Sequence, residues 1–298
     1  MPIVSCFCKK GGVGKTTFLG YLAHYYATLG KTVLVLSADD QNSVFRIFGA
    51  EHFVTDNDDD FFEHLFIGEK QPNDVVFEVR PGMYLMKTLN TDRLSLNLTL
   101  KRTEEKKLRS LILDFTRYFD YIFIDFPPSS SRLSEILLDL SDSILLAVGL
   151  DALGLEGYSN TIQYFIDSDI DLAKIKYIIP IGYHPVKLAP KSCLKQLIER
   201  AKIQTPNAVV TKPINDKSVI KNLQEEGVSV FDTHQMKDKF HQKNRDQVKK
   251  ELTEVYKSLV LWLFSFIFII FHFNFVLRLY FYKFKQKKDR FYSGLFLF

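Results

Sequence analysis

A glycine-rich stretch near the N-terminus, CKKGGVGKTT at residues 8–17, has residue types and spacing suited to phosphate chemistry. The apolar run PIVSCFC precedes it, and the helix-like segment TTFLGYLAHYYATLG follows. In such a strand, turn and helix, the N–H groups of the turn and the positive end of the helix dipole point to one place, where a polyphosphate can bind. There the Lys15 ammonium would reach the β- and γ-phosphates, and the Thr16 hydroxyl would bind Mg²⁺.

This stretch departs from the usual pattern G-x-x-x-x-G-K-[ST]. Lys9 stands where that pattern has its first glycine, and Lys10 directly precedes the glycines. The motif explains the charge of Lys15, but it does not explain the extra cation at Lys10.

Carboxylates that could support the metal and a water molecule follow two other apolar runs. YFDYIFIDFPP places Asp125 at the end of a run that Pro127 and Pro128 terminate, and VLVLSADDQNS ends in Asp39 and Asp40. Ligand groups lie at strand ends in open parallel sheets. Asp125 is therefore predicted to support Mg²⁺, and Asp39 or Asp40 to orient an attacking water.

The elements that would position these groups alternate along the chain. Apolar runs lie at 2–8, 32–37, 121–126, 143–150 and 176–183. Helices are predicted at 16–30, 103–117, 133–140, 156–167, 189–202, 216–225 and 239–257. Continuous runs rich in Ile, Val and Phe are typical of strands buried on both faces. The pattern predicts an α/β fold with a mostly parallel, twisted sheet and helices on both faces.

Composition is that of a globular protein, with 298 residues of which 46% are apolar. The three cysteines, Cys6, Cys8 and Cys193, are an odd number without Cys-x-x-Cys spacing, which favours a reducing, cytoplasmic location. Cys6 and Cys8 are expected on one side of a buried strand. No further His or Cys cluster completes a four-ligand metal site around them.

Together these motifs resemble those of the ParA/MinD family of deviant Walker-A ATPases, and ParA partition proteins in particular. KGGVGKTT has the form typical of ParA, SADDQNS resembles the D-x-D-P-Q-G-N segment, and YFDYIFIDFPPS resembles the Walker-B segment. SDSILLAVGLDALGLEGYSNTI and NAVVTKPINDKSVIKNLQEEGVSVFD are similar to the later family segments. The resemblance covers residues 2–257 and implies a P-loop NTPase fold in a domain at 1–257.

The resemblance also implies roles for individual residues. Lys10, Lys15 and Asp39 would be catalytic, with Lys10 reaching across an ATP-dependent homodimer to the partner's phosphates and Asp39 positioning the hydrolytic water. The implied ATP-binding residues are Gly11, Gly12, Val13, Gly14, Lys15, Thr16, Thr17, Pro213 and Asn215, and the implied Mg²⁺ ligands are Thr16 and Asp125. Ser37 replaces the family's first aspartate and Asp40 its proline, which puts metal support by Ser37 in doubt and makes Asp40 a rival to Asp39.

Positive charge is concentrated at 186–221, which holds eight Lys or Arg residues against two acids. Contacts to DNA phosphates from such residues give binding without sequence preference and with strong salt dependence. The resemblance implies slow ATP hydrolysis, loading of the dimer onto non-specific DNA of the nucleoid, and release stimulated by a ParB-like centromere-binding protein. The candidate DNA contacts are Arg200, Lys202, Lys217 and Lys221.

The tail at 258–298 differs from the rest of the chain. Residues 258–277 carry no charge and match the length of a membrane span, and the residues that follow are basic. Three interpretations stay open: a reading-frame artefact, membrane contact through 258–277, and an apolar interface with another protein.

Two alternative functions use a membrane instead of DNA. A MinD-like positioning ATPase would end in a short amphipathic helix, which the uniformly apolar tail does not match. A tail-anchored scaffold would use the nucleotide fold as a switch, but basic residues flank both ends of 258–277, so no orientation follows. Chemistry like that of nitrogenase reductase needs paired cysteines after the Walker-B strand, and Cys193 alone does not supply them.

Overall fold

A mostly parallel β-sheet runs through the protein, whose computed structural model describes residues 2–55, 59–216, 218–233 and 242–259. Within these residues the sheet has nine strands, in the order β3-β4-β2-β5-β1-β6-β7-β8, with β9 also paired to β7. The strands are β1 (Ile3–Phe7), β2 (Val33–Ser37), β3 (Phe77–Arg80), β4 (Met83–Met86), β5 (Tyr121–Asp125), β6 (Ser143–Gly149), β7 (Ile175–Tyr183), β8 (Val209–Val210) and β9 (Ile214–Asn215). β3 is antiparallel to β4, and the other pairs are parallel. The predicted fold class is confirmed.

Helices connect these strands. They are α1 (Lys15–Thr28), α2 (Ser43–Ile47), α3 (Phe62–Ile67), α4 (Pro72–Val75), α5 (Thr91–Leu100), α6 (Arg102–Phe115), α7 (Arg132–Leu140), α8 (Ala152–Asp167), α9 (Leu188–Gln204) and α10 (Ser218–Glu225), with 3₁₀ turns at Glu51–Phe53 and Leu172–Lys174. Helical residues 242–253, here α11, end the first compact unit, Met1–Thr253. A second unit begins at Glu254, and its described residues, 254–259, are helical.

The central strands are buried on both faces. All five residues of β1, β2 and β5 are buried. Because successive side chains of a strand point to opposite faces, both faces of the sheet must be covered. On one face Phe7 of β1 packs against Phe126, Tyr164 and Phe165, with ring centroids 5.6–5.7 Å apart. The continuous apolar runs in the sequence therefore correspond to the middle of the sheet.

The predicted strands correspond to β1, β2, β5, β6 and β7, whereas the sequence pattern predicts no element in the segment 43–102. The structure forms α2 to α5, β3 and β4 there. β3 and β4 are only four residues long, and β3, FEVR, has no fully buried residue. β3 lacks an apolar run, and β4, MYLM, is buried but too short to stand out in the sequence.

Buried polar contacts attach residues 227–232 to α1 and β3. Arg80 donates from Nε to Asp232 at 2.7 Å and from Nη2 to the other carboxylate oxygen at 2.9 Å. The His24 ring on α1 lies 2.8 Å from the Ser229 hydroxyl, measured from Nδ1 to Oγ. Burial lowers the pKa of His24 to about 4. A neutral imidazole thus joins the helix after the glycine-rich loop to the C-terminal part of the unit.

No helix among the described residues is both long enough and apolar enough to cross a membrane. The predicted span at 258–277 lies outside the described residues from 260 onward, as does the rest of the tail. Its three interpretations therefore stay open.

The first turn of α8 lies against the end of β6. The Asp151 side chain accepts a hydrogen bond from the Gly154 N–H at 2.6 Å, which caps the helix. A Cβ added at Gly154 would lie 2.0 Å from the carbonyl oxygen of Gly149, whereas one at Gly149 would meet its nearest neighbours at 3.7 Å. The approach of α8 to β6 therefore requires glycine at 154.

Substitution of this glycine is expected to destabilise the fold. Gly154→Ala should lower the free energy of unfolding by about 1–3 kcal/mol, because α8 must shift away from β6. Gly149→Ala is the matched control, since its new methyl group meets only ordinary contacts. Urea denaturation of the two variants checks the difference, and equal midpoints would contradict the close approach.

Candidate functional site

The candidate site lies where β1, β2 and β5 end. The parallel register pairs Cys6 of β1 with Asp125 of β5, and Asp125 with Ser37 of β2. The loop after β1 therefore begins beside the Asp125 carboxylate, and the Ser37 turn begins on its other side. The sheet brings together the three segments that the sequence singled out.

The glycine-rich loop turns directly into α1. Gly12 and Gly14 have φ of 72° and 90°, a region that favours glycine, and α1 begins at Lys15. Lys15 is buried, and its Nζ donates to the Lys10 carbonyl at 3.2 Å. The ammonium is thus held over the loop, at the N-terminus of α1, where the helix dipole also favours an anion.

The Thr16 hydroxyl donates to Asp125 Oδ1 at 3.1 Å. Asp125 is buried, and its second oxygen, Oδ2, has no hydrogen-bond partner among the described residues. Burial raises the pKa of this carboxyl to about 7, with the Asp39 charge adding to the rise and Thr16 and Lys15 opposing it. A hydroxyl and an under-coordinated carboxylate beside an anion site are oxygen ligands suited to Mg²⁺, which binds through few protein groups and completes its shell with phosphates and water. The residues present therefore fit a magnesium nucleotide.

The two adjacent aspartates after β2 have different surroundings. Asp39 is half-buried, accepts from the Gln41 N–H at 3.1 Å, and its pKa is raised, chiefly by burial. Asp40 is exposed and accepts from the Thr91 hydroxyl at 3.3 Å. The Asp39 charge is among the main causes that raise the pKa of Asp125. The electrostatic coupling to the site favours Asp39 as the water-orienting carboxylate.

Ser37, which stands where the family has an aspartate, is buried and donates to the Asp39 carbonyl at 2.9 Å. Its backbone carbonyl accepts from the Thr88 hydroxyl. The serine therefore shapes the turn that carries Asp39, a role that its residue type did not reveal.

A glycine that sequence reasoning missed controls how α8 meets the loop. A Cβ added at Gly157 would lie 2.7 Å from Lys10 Cβ and 3.6 Å from Cys8 Sγ. The neighbouring Lys9 donates its N–H to Thr161 at 3.0 Å and places its ammonium 4.9 Å from the centroid of the Tyr164 ring. Gly157 stands in the quoted stretch GLDALGLEGYS, but nothing local shows that it faces Lys10.

A cavity of about 260 Å³ opens beside the loop. Its walls come from the loop and α1, from β7 and β9, and from α10 and α11. The lining residues are Gly12, Val13, Gly14, Thr17, Phe18, Tyr21, Ile181, Gly182, Ile214, Asn215, Asp216, Ile220, Lys221, Gln224 and Leu252. Asn215 thus lies where the sequence placed a nucleotide contact, whereas Pro213 is not among the described residues that line the cavity.

Further contacts join this cavity to the loop helix and to α11. Gln224 of α10 donates to the Thr17 hydroxyl at 2.6 Å. Asn215 donates twice to Glu251 of α11, from its backbone N–H and from its Nδ2 at 2.9 Å. Sequence reasoning missed Gln224 and Glu251, because their partners are far away along the chain.

The four predicted DNA contacts have unlike surroundings. Arg200 is half-buried and donates to Leu155 O at 3.3 Å and Ser159 Oγ at 3.0 Å, which ties α9 to α8. Lys202 is exposed near the end of α9, and Lys221 lines the cavity beside the loop. The fourth, at position 217, lies outside the described residues.

Comparison with known proteins places these features in a family. A family model described as an AAA domain, AAA_31, matches residues 1–175. The sporulation initiation inhibitor protein Soj of Bacillus subtilis is 27% identical over 54% of this chain and 63% of its own length. The chromosome partitioning protein ParA of Myxococcus xanthus is 27% identical over 56% of each chain. This chain spans less than two thirds of the length of either relative.

Solved structures show the same fold. Apo McdA of Cyanothece superposes with a TM-score of 0.70 at 18% identity, covering 87% of this chain and 99% of its own. The ATP complex of its D38A variant gives 0.66 at 19% identity, covering 85% and 96%. Cobyrinic acid a,c-diamide synthase of Mycobacterium smegmatis, with bound ADP and magnesium, gives 0.63 at 19% identity, covering 76% and 92%. With the family match over more than half of its length, the chain belongs to the AAA_31 family, the P-loop ATPases of the ParA/MinD type.

Proposed function

We propose that the protein is a partition ATPase that binds ATP with Mg²⁺, dimerises around the nucleotide and holds non-specific DNA until hydrolysis releases it. The contact of Thr16 with the partly unsatisfied Asp125 carboxylate, directly beside the buried Lys15, carries this proposal. Nucleotides occupy similar folds in McdA with ATP and in the diamide synthase with ADP and magnesium. Soj and ParA are relatives whose names refer to sporulation control and chromosome partitioning.

The hydrolytic step assigns one task to each charged group. Lys15, released from the Lys10 carbonyl, binds the β- and γ-phosphates, and Gly11 to Gly14 and Thr17 surround them. Thr16 and Asp125 would hold Mg²⁺, which would supply positive charge beside the phosphates. Asp39 orients the attacking water. With a single carboxylate to position water and no partner present, turnover is expected to be slow.

Lys10 couples the nucleotide to the dimer. Its side chain is half-exposed, and no described residue forms an ion pair with its ammonium. Gly157 lets α8 pack directly against the base of this side chain. If Lys10 contacts the phosphates bound by the partner, nucleotide binding stabilises the dimer and dimerisation strengthens nucleotide binding.

DNA binding is assigned to the exposed face of α9. Lys191, Lys195 and Lys202 are exposed, and their spacing of four and seven residues puts them on one helix face. Lys191 and Lys195 join Lys202 in this role, because Arg200 contacts α8 and Lys221 lines the cavity beside the loop. Stimulation by a ParB-like protein and a location on the nucleoid follow from the same proposal.

The alternative is a MinD-like or tail-anchored ATPase that works at a membrane. The uncharged stretch at 258–277 supports this alternative. We propose that an ATPase domain covers residues 1–257 and that a separate segment begins at residue 258. Anionic liposomes distinguish the two functions. ATP-dependent binding to liposomes without binding to DNA would favour an ATPase that works at a membrane.

The central test uses the full-length chain with duplex DNA of random sequence. With ATP, the wild type should dimerise and bind DNA, with an affinity that falls steeply between about 50 and 200 mM salt. Lys10→Ala should lose both dimerisation and DNA binding, because the charge donated across the dimer is gone. Light scattering and fluorescence anisotropy with ATP, with ADP and without nucleotide measure the two properties.

Lys9→Ala is the matched control, since Lys9 is exposed and rests on the Tyr164 ring. It should dimerise and bind DNA as the wild type does. Equal loss in both variants, or DNA binding independent of ATP, would contradict the proposed coupling.

The buried Asp125 gives a pH-dependent test on the metal-free protein. Its folded pKa of about 7 lies above the unfolded value of about 3.9, so its contribution to stability falls as pH rises from 4 to 7 and is constant above that. Asp125→Asn should therefore melt several degrees higher than the wild type at pH 8 in EDTA, and the gap should close toward pH 5.

Thermal melts between pH 5 and 9 check this expectation. Asp114→Asn removes an exposed carboxylate on α6 and should follow the wild type at every pH. A constant offset between Asp125→Asn and the wild type across the range would show that Asp125 does not titrate there.

A further inference from the structure

The walls of the proposed nucleotide cavity are mostly apolar, and their polar residues are Thr17, Asn215, Asp216, Lys221 and Gln224. Phe18, Tyr21, Ile214 and Leu252 line the cavity and are buried. Asn215 lies among them, and both of its nitrogens donate to the Glu251 carboxylate. In a mostly apolar pocket, a small number of placed polar groups decides which ligand is accepted.

The carboxylate fixes which way the Asn215 amide faces. A carboxylate only accepts hydrogen bonds, so the half of the amide that faces Glu251 must be its NH₂ group. The second bond, from the Asn215 backbone N–H, holds the carboxylate in place. The amide oxygen, Oδ1, is then turned away from Glu251, and no described residue donates to it. Asn215 thus turns its acceptor, Oδ1, away from the carboxylate, while one N–H of Nδ2 is engaged by Glu251.

We propose that Glu251 is a positioning residue that makes the cavity select a 6-aminopurine, by holding the Asn215 amide with its oxygen toward the base. The inference rests on the proposed function, since it takes the cavity as the base site of the nucleotide. Glu251 does not itself contact the base. The exocyclic amine of adenine donates to Oδ1, whereas guanine and hypoxanthine present a carbonyl oxygen at the same position.

Two facing acceptors cannot pair with each other inside a mostly apolar cavity, and this is the basis of the selection. An unconstrained amide would avoid the loss by rotating through 180° and presenting its NH₂ group to the carbonyl. Here that rotation would set Oδ1 against the Glu251 carboxylate and lose the Nδ2 hydrogen bond. The discrimination against 6-oxopurines therefore depends on Glu251, although Asn215 makes the contact.

Equilibrium binding of ATP and ITP, with Mg²⁺, to the full-length protein tests the proposal. ITP replaces the 6-amino group with a carbonyl and lacks the extra amine of GTP. The wild type should bind ATP about tenfold more tightly than ITP. Glu251→Gln should reduce this ratio several-fold, mainly by improving ITP binding, because the glutamine amide can pair with either orientation of Asn215. Asp246→Asn, which changes an exposed carboxylate on the same helix, should keep the wild-type ratio.

A double-mutant cycle separates positioning from a general loss of structure. In an Asn215→Ala background, Glu251→Gln should no longer change the ATP to ITP ratio. Melting temperatures report any structural damage, which would weaken both nucleotides together and leave the ratio unchanged.

An unchanged ratio in Glu251→Gln would overturn the inference. Equal affinities of the wild type for ATP and ITP would also overturn it, while leaving the proposed ATPase function standing. Failure of the wild type to bind either nucleotide would overturn the proposed function and this inference with it.

Discussion

Parallel pairing of β5 with both β1 and β2 is the constraint on which the site depends. It makes three strands end at one edge, so that the loop, the Ser37 turn and Asp125 meet without any contact between distant helices. The same pairing buries Asp125 in the sheet, where desolvation raises its pKa and leaves Oδ2 unsatisfied. Burial thus disfavours the charged form of Asp125, and a cation bound beside it would offset this cost.

Close packing of α8 is the second constraint. Gly154 lets the first turn of this helix approach β6, and Gly157 lets it approach the side chains of Cys8 and Lys10. The loop is therefore packed directly against α8. Such packing would favour the proposed contact of Lys10 with a partner subunit, because a flexible loop would lose more conformational entropy on binding.

The middle of the sheet could be predicted because burial on both faces demands an apolar residue at nearly every position, as in YIFID of β5. The edge could not, since β3 and β4 are short and partly exposed. The start of α8 was placed at 156, although Asp151 caps the helix and Ala152 begins it. The glycines after the cap obscured the helical pattern there.

The residues of the site also differ in whether the sequence could predict them. Lys15, Thr16 and Asp125 were identified from local spacing, which is what a strand, loop and helix encode. The pairing of Asn215 with Glu251 spans 36 residues and depends on where α11 packs, so no local pattern contains it. Lys221, predicted from its charge to contact DNA, lines the cavity beside the loop, and its charge alone could not show that position. The roles assigned to all of these residues are proposals.

The nucleotide cavity draws its walls from two stretches of chain, and this has a consequence for how the protein can diversify. The family match ends at residue 175, and the stretch before it holds the loop, Asp39 and Asp125. Asn215 and Glu251 come after it. The proposed phosphate chemistry and the proposed base selection therefore depend on different stretches of the chain, so a change of nucleotide would require substitutions only in the C-terminal third.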